Sequence, residues 1–207
     1  MIKSYKSRSL FENLKFSFGD AVKKNKWKLI LSVLLAVAGI VFGVVIAVKT
    51  DLNDALKTLQ DISIKNFQNG IVGSAGAFFA RFFSLLFNVL LLVVFSFSGY
   101  MFPLAEILFA YRGYLFGVNF ALIFVFYGFG SAISAIVVIL PVQLVIMFVL
   151  IMFYLLLFQM NTDNKKYGYC GGNRILFVVI VVLLLLLLDL VETLLLLLLN
   201  GKVILVI

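Results

Sequence analysis

The feature that most limits the fold is a series of uninterrupted apolar runs, most of them about twenty residues or longer, with no alternation of polar and apolar positions. At 1.5 Å rise per residue, a helical run of that length reaches roughly 30 Å, the thickness of bilayer hydrocarbon. Backbone N–H and C=O groups in lipid must be satisfied within each segment, so continuous apolar runs read as helices, whereas membrane strands alternate. Composition agrees: 64% of the 207 residues are hydrophobic and 13% charged, against about half and a quarter in soluble domains. The expected fold is all-α, a polytopic integral membrane helix bundle.

The runs place five transmembrane helices at about 29–48, 82–102, 113–129, 132–158 and 175–199. Residues 1–28 form a basic segment in which Leu10, Phe11, Leu14, Phe18, Ala21 and Val22 recur at helical spacing behind a Ser9–Glu12 capping box. This predicts an amphipathic helix on the inner membrane face, its lysines meeting anionic headgroups. Eight of the seventeen Lys and Arg residues lie in those first twenty-eight positions, so the +8 net charge marks topology and not nucleic-acid binding. By the positive-inside rule the N-terminus is cytoplasmic. Lys165, Lys166 and Arg174 place the 159–174 loop on the same side, which leaves 50–81 as an extracytoplasmic segment and the C-terminus outside.

Several chemistries are disfavoured. The chain has no His and a single cysteine, Cys170, so Ser-His and Cys-His nucleophiles, histidine metal sites and an intrachain disulfide are absent. No catalytic, cofactor or metal residues are assigned, and the expected activity is non-enzymatic. Intramembrane aspartyl proteolysis would need aspartates on facing helices, but Asp189 and Glu192 share one.

Those two acids interrupt LLLLLLDLVETLLLLLL, residues 183–199. The flanking runs of six leucines favour insertion by roughly 4 to 7 kcal/mol, against about 3 for each acid near mid-membrane. Insertion is therefore allowed, but retention of the acids calls for partners. Asp189, Glu192 and Thr193 fall at i, i+3 and i+4, one polar stripe expected to face the bundle interior. Arg112 is the cation deepest in apolar sequence, with Glu106 six residues before it. Residues 104–112 therefore read as a short interfacial or re-entrant piece. Asp189 lies roughly 20 Å from the start of the last helix, too far out for Arg112 unless that piece is deeply inserted, and Arg81 is then the better partner for Glu192. Gly39 with Gly43, and Gly113 with Gly117, form small-residue faces for close helix packing. Pro141 should kink its helix and free a carbonyl, with Gln143 near enough to help satisfy it.

Taken in order, the basic N-terminus, the AGIVFG of the first crossing, the outer segment, the YRGYLFGVNFALI block, GFGSAISAIVVILPVQLVI and the final DLVET resemble the stage II sporulation protein M family of bacterial membrane proteins. The RGYLFG block followed by LPVQ is the most specific match; here Val142 separates the proline from Gln143, where the family typically carries a polar pair. The resemblance implies a bacterial cell-membrane scaffold that joins membrane-anchored partners and cell-wall hydrolases, localising peptidoglycan remodelling during forespore engulfment. It implies no cofactor, and partners that are membrane proteins, with self-association open. The residues alone also admit a permease subunit, such as the membrane half of an ATP-driven exporter, with Asp189, Glu192 and Pro141 lining a path.

Overall fold

A computed structural model describes residues 22–49, 70–167 and 172–203. The N-terminal amphipathic stretch before Val22, most of the outer segment, Cys170 and the last four residues lie outside the described residues. Everything described is helix apart from two short breaks: α1 (Lys26–Lys49), α2 (Gly70–Ser96), a 3-10 turn (Gly99–Met101), α3 (Phe102–Tyr167) and α4 (Gly172–Val203). Among the described residues, four helical stretches are long and apolar enough to cross a membrane: Lys26–Lys49, Phe78–Ser96, Ile139–Asn161 and Ile175–Leu195.

The observed bounds differ from the hydropathy reading along α2 and α3: α3 runs unbroken through the expected third and fourth crossings, and among the described residues the expected 113–129 crossing is not one of the four stretches. α2 begins at Gly70, so residues 70–81, expected in the outer segment, are helical and continuous with the run that follows. The same helix stops at Ser96, not Phe102, because a tight turn follows: Ser98 takes an extended conformation and its side chain accepts the Tyr100 N–H, starting the 3-10 turn that leads into α3.

α3 carries 66 residues, which would reach roughly 99 Å if straight. Yet the rings of Phe102 and Phe109 lie 6.3 and 6.1 Å from that of Tyr154. The chain therefore reverses between Ala121 and Ile139, and α3 serves as two antiparallel arms, 102–121 and 139–161. Residues 104–112 are helical and run on through Gly113 without a break.

α1 lies parallel to the first arm. Ser32 meets Glu106, Gly39 packs on the backbone of Ala110, Gly43 on that of Tyr114, and Ala47 clusters with Val118 and Ala121. The two glycine pairs face each other: Gly113 rests on the Ala36 carbonyl and Gly117 on that of Ile40. A Cβ at any of the four would overlap a carbonyl oxygen of the other helix. Close backbone approach of this kind takes the place of the hydrophobic effect, which does not drive apolar helices together in lipid.

The second arm is the centre of the bundle. Residues 150–157 are buried on every side, as expected of a helix that is apolar all round. Leu85, Val89 and Leu92 of α2, Ala105 and Phe109 of the first arm, and Phe177, Val181 and Leu185 of α4 pack against it in one core. The outward residues of α1, α2 and α4, such as Val41, Phe87 and Leu187, are exposed apolar side chains, the surface a bilayer covers.

Replacing Gly113 or Gly39 by Val should force α1 off the first arm and cost about 1–3 kcal/mol, the usual range for overpacking. Gly76→Ala, at a helical position where an added Cβ meets nothing within 4 Å, should be neutral or stabilising by a few tenths to about 1 kcal/mol. Unfolding of the three variants in detergent checks the contrast.

Candidate functional site

The polar residues inside this apolar bundle gather at two levels. The first joins α2, the second arm and α4. Asp189, Glu192 and Thr193 lie on one face of α4, and that face is turned inward: the two acids are 1% and 2% exposed. Arg81 of α2 reaches all three. Its Nη1 donates to Glu192 Oε1 at 3.0 Å and its Nη2 to Thr193 Oγ1 at 2.5 Å, while Nε stands 3.4 Å from Asp189 Oδ1. Thr193 Oγ1 also donates to the Asp189 carbonyl at 2.8 Å, one turn back. From the second arm, Gln143 Nε2 donates to the other Glu192 oxygen at 2.8 Å. A single carboxylate is thus held by a guanidinium from one helix and an amide from another, with charge-assisted bonds on both oxygens.

Helix geometry explains why Arg81 holds the acids. Glu192 lies seventeen residues beyond Ile175 on α4, roughly 26 Å along the axis. Arg81 precedes the end of α2 at Ser96 by fifteen residues, roughly 22 Å, on a neighbouring antiparallel helix. Arg112 stands ten residues from Phe102, roughly 15 Å up the bundle; it makes no ion pair or hydrogen bond to the acids among the described residues, although its charge is near enough to act on Glu192. Its Nη1 is buried with no hydrogen-bond partner among the described residues, as is Asp189 Oδ2. Gln143 does not serve a carbonyl freed by Pro141, as its proximity suggested: its amide goes to Glu192, which offers a full negative charge in place of a partial one.

The second level lies at the opposite end of the bundle. Glu106 Oε1 accepts from Ser32 Oγ at 2.7 Å, a hydroxyl that is also 2.9 Å from the Lys28 carbonyl. Lys28 Nζ lies 3.4 Å from the centre of the Phe158 ring and 5.0 Å from that of Phe102, bridging α1 and both arms by cation–π attraction. Asn25 Nδ2 donates to Gln159 Oε1 at 3.0 Å. Asn161 Nδ2 donates to the Ser96 carbonyl and hydroxyl at 2.8 and 2.9 Å, tying the second arm to the end of α2.

Of the residues singled out from sequence, Asp189, Glu192 and Thr193 come together with Arg81 and Gln143, and the four glycines come together with each other. Glu106 and Arg112 do not meet: six positions along one helix point well away from each other, and Glu106 faces α1. Sequence reasoning passed over Ser32, Asn88, Ser96 and Asn161. Their signal was modest, single small polar residues in apolar runs, and all four are buried.

The fold and these intramembrane polar bonds define a multi-pass helical membrane protein. Scans of protein-family models, of curated proteins and of solved structures return no match.

Removing Arg81 would leave two carboxylates without their cation, the situation in which breaking a buried pair costs about 3–5 kcal/mol. Arg81→Ala should therefore destabilise the protein on that scale, and Arg112→Gln, which breaks no bond among the described residues, by less than about 1 kcal/mol. Denaturant titration in bicelles or mixed micelles measures both.

Proposed function

We propose that this chain is a non-enzymatic scaffold of the bacterial cell membrane, crossing five times with its N-terminus in the cytoplasm and its C-terminus outside. In this reading the first arm of α3 is the third crossing. It runs beside α1 from the level of Glu106 to that of Ala121, and a parallel neighbour of a spanning helix spans too. The basic residues Lys23, Lys24, Lys26 and Lys28 at the start of α1 mark the inner face. The scaffold holds membrane-anchored cell-wall hydrolases and localises peptidoglycan remodelling, as the resemblance to stage II sporulation protein M implies, in a process similar to forespore engulfment.

The observation that carries the reading is the engagement of Glu192. Both of its oxygens are bound, one by Arg81 and one by Gln143, so the acid that interrupts the leucine wall is spent on holding three helices together. A carboxylate on an ion path has to give up and take back its ligand; one clamped from two sides supports architecture.

A permease subunit is the second reading, and one feature favours it: Arg112 Nη1 and Asp189 Oδ2 are buried and unbonded among the described residues. The two readings separate on one double variant. Asp189→Asn with Glu192→Gln should lower the yield of folded protein and its melting temperature if the acids are structural, whereas a transport role requires wild-type assembly with flux abolished. Affinity purification in mild detergent should recover a membrane-anchored peptidoglycan hydrolase with the wild-type chain. Normal wall remodelling in a deletion strain of the source organism would remove the scaffold role.

A further inference from the structure

The four glycines press α1 and the first arm of α3 together, but nearer the start of each helix the pair leaves a shallow groove of about 300 Å³ between them. Leu31 and Leu35 line it from α1 and Phe102 and Ile107 from the first arm, and the short side chains of Pro103 and Ala110 leave the room between the larger ones. Leu31 and Ile107 are exposed, so the groove opens on the outer surface of the bundle. From Phe102 to Ala110 it extends eight residues, roughly 12 Å along the axis, most of the roughly 15 Å of hydrocarbon in one leaflet. Its cross-section is then roughly 25 Å², against roughly 80–110 Å² for a helix 10–12 Å in diameter. A single hydrocarbon chain fits such a groove and a helix does not.

The mouth of the groove is basic. Phe102 has the Lys28 ammonium 5.0 Å from its ring centre. Trp27 stands one turn before Leu31 on the same face of α1, is exposed, and has Lys26 Nζ 5.7 Å from its ring centre. Lys23 and Lys24 precede them and are exposed. None of these lysines forms a salt bridge among the described residues; Glu106 is near enough to act on Lys28, which leaves three ammonium groups with no acid at bonding distance. Lysine and tryptophan together at a helix end mark the depth of the lipid headgroups.

We propose that the groove is a binding site for one anionic phospholipid from the leaflet at the Lys28 end of α1. An acyl chain lies between α1 and the first arm, and the phosphate sits among Lys23, Lys24 and Lys26. Charge selects the headgroup: an anionic lipid balances the lysines, whereas a zwitterionic one brings a cation of its own to them. A basic surface alone would attract anionic lipids wherever they lay along it; the groove confines one of them.

The inference rests on the chain lying in a bilayer and not on the scaffold reading. The purified full chain in detergent is titrated with phosphatidylglycerol or phosphatidylcholine, and bound lipids are counted by native mass spectrometry. Wild type should retain one phosphatidylglycerol about tenfold or more tightly than phosphatidylcholine, each lysine beside an anionic headgroup being worth about fivefold. Lys24→Gln with Lys26→Gln should lose most of that preference. Ala110→Leu, which fills the groove, should weaken retention of phosphatidylglycerol several-fold, and so should Ile107→Ala, which removes one wall from an exposed position and leaves the core intact, with helix content and melting temperature held. In vesicles, a phosphatidylglycerol carrying a diazirine on its acyl chain should label residues 31–35 and 107–110 several-fold more than Leu187 on the exposed face of α4, and a photoreactive side chain at Ile107 should capture lipid in native membranes. Equal affinity for the two lipids, retention unchanged in Ile107→Ala, even labelling of the grooved and control faces, or capture at Ile107 of a protein in place of lipid would each overturn the proposal.

Discussion

Two carboxylates in the oily part of a helix cannot stand alone, and the arrangement of α2, α4 and the second arm of α3 follows from how they are held. Glu192 needs a cation and a second donor at its own depth. Arg81 comes from a helix running antiparallel to α4, and Gln143 from the centre of the bundle. Fixing those two partners fixes the rotation of α4, because Asp189, Glu192 and Thr193 share one face, and so fixes which leucines look outward. It also sets the relative height of α2 and α4. Apolar contact would do neither, since leucine against lipid and leucine against leucine are nearly equivalent.

The other half of the molecule solves the same problem by shape. α1 and the first arm of α3 have few polar groups to align, and instead interlock four glycines so that each backbone sits against the other's carbonyls. Register there is enforced by steric exclusion: a slip of one residue would set a side chain where only a hydrogen fits. At the Lys28 end of α1, Ser32 bonds Glu106 of the first arm, and Lys28 over the Phe102 and Phe158 rings joins this pair to the central arm. The molecule thus has two welded units, one held by charge and one by close packing.

Much of this was legible in the sequence, and the unread parts have physical reasons. The helical class followed from run length and continuity, and the inward face of α4 from an i, i+3, i+4 spacing. The two glycine pairs could be recognised separately as packing faces, but their union could not, because spacing within a helix says nothing about which helix it meets. The choice between Arg81 and Arg112 turned on depth, and counting 1.5 Å per residue from the helix ends favoured Arg81 for Glu192. Gln143 was assigned to a carbonyl near Pro141 because proximity in sequence is easily seen; its partner is 49 residues away. Hydropathy missed the stop at Ser96, where the chain turns through Ser98, whose side chain accepts the Tyr100 N–H and caps the 3-10 turn, within sequence that stays apolar. Buried Ser32 and Asn161 went unnoticed because single small polar residues in such runs often bond only their own helix.

The claim that the Arg81–Glu192 bond holds α2 against α4 is tested most directly by exchanging the charges. Arg81→Glu and Glu192→Arg are made singly and together, and unfolding is measured in one lipid environment. Each single variant sets like charges against one another and should fold poorly, while the exchanged pair should recover a large part of the lost stability. If the double variant is as unstable as the sum of the two singles, the pair does not hold these helices and the account of the bundle is wrong.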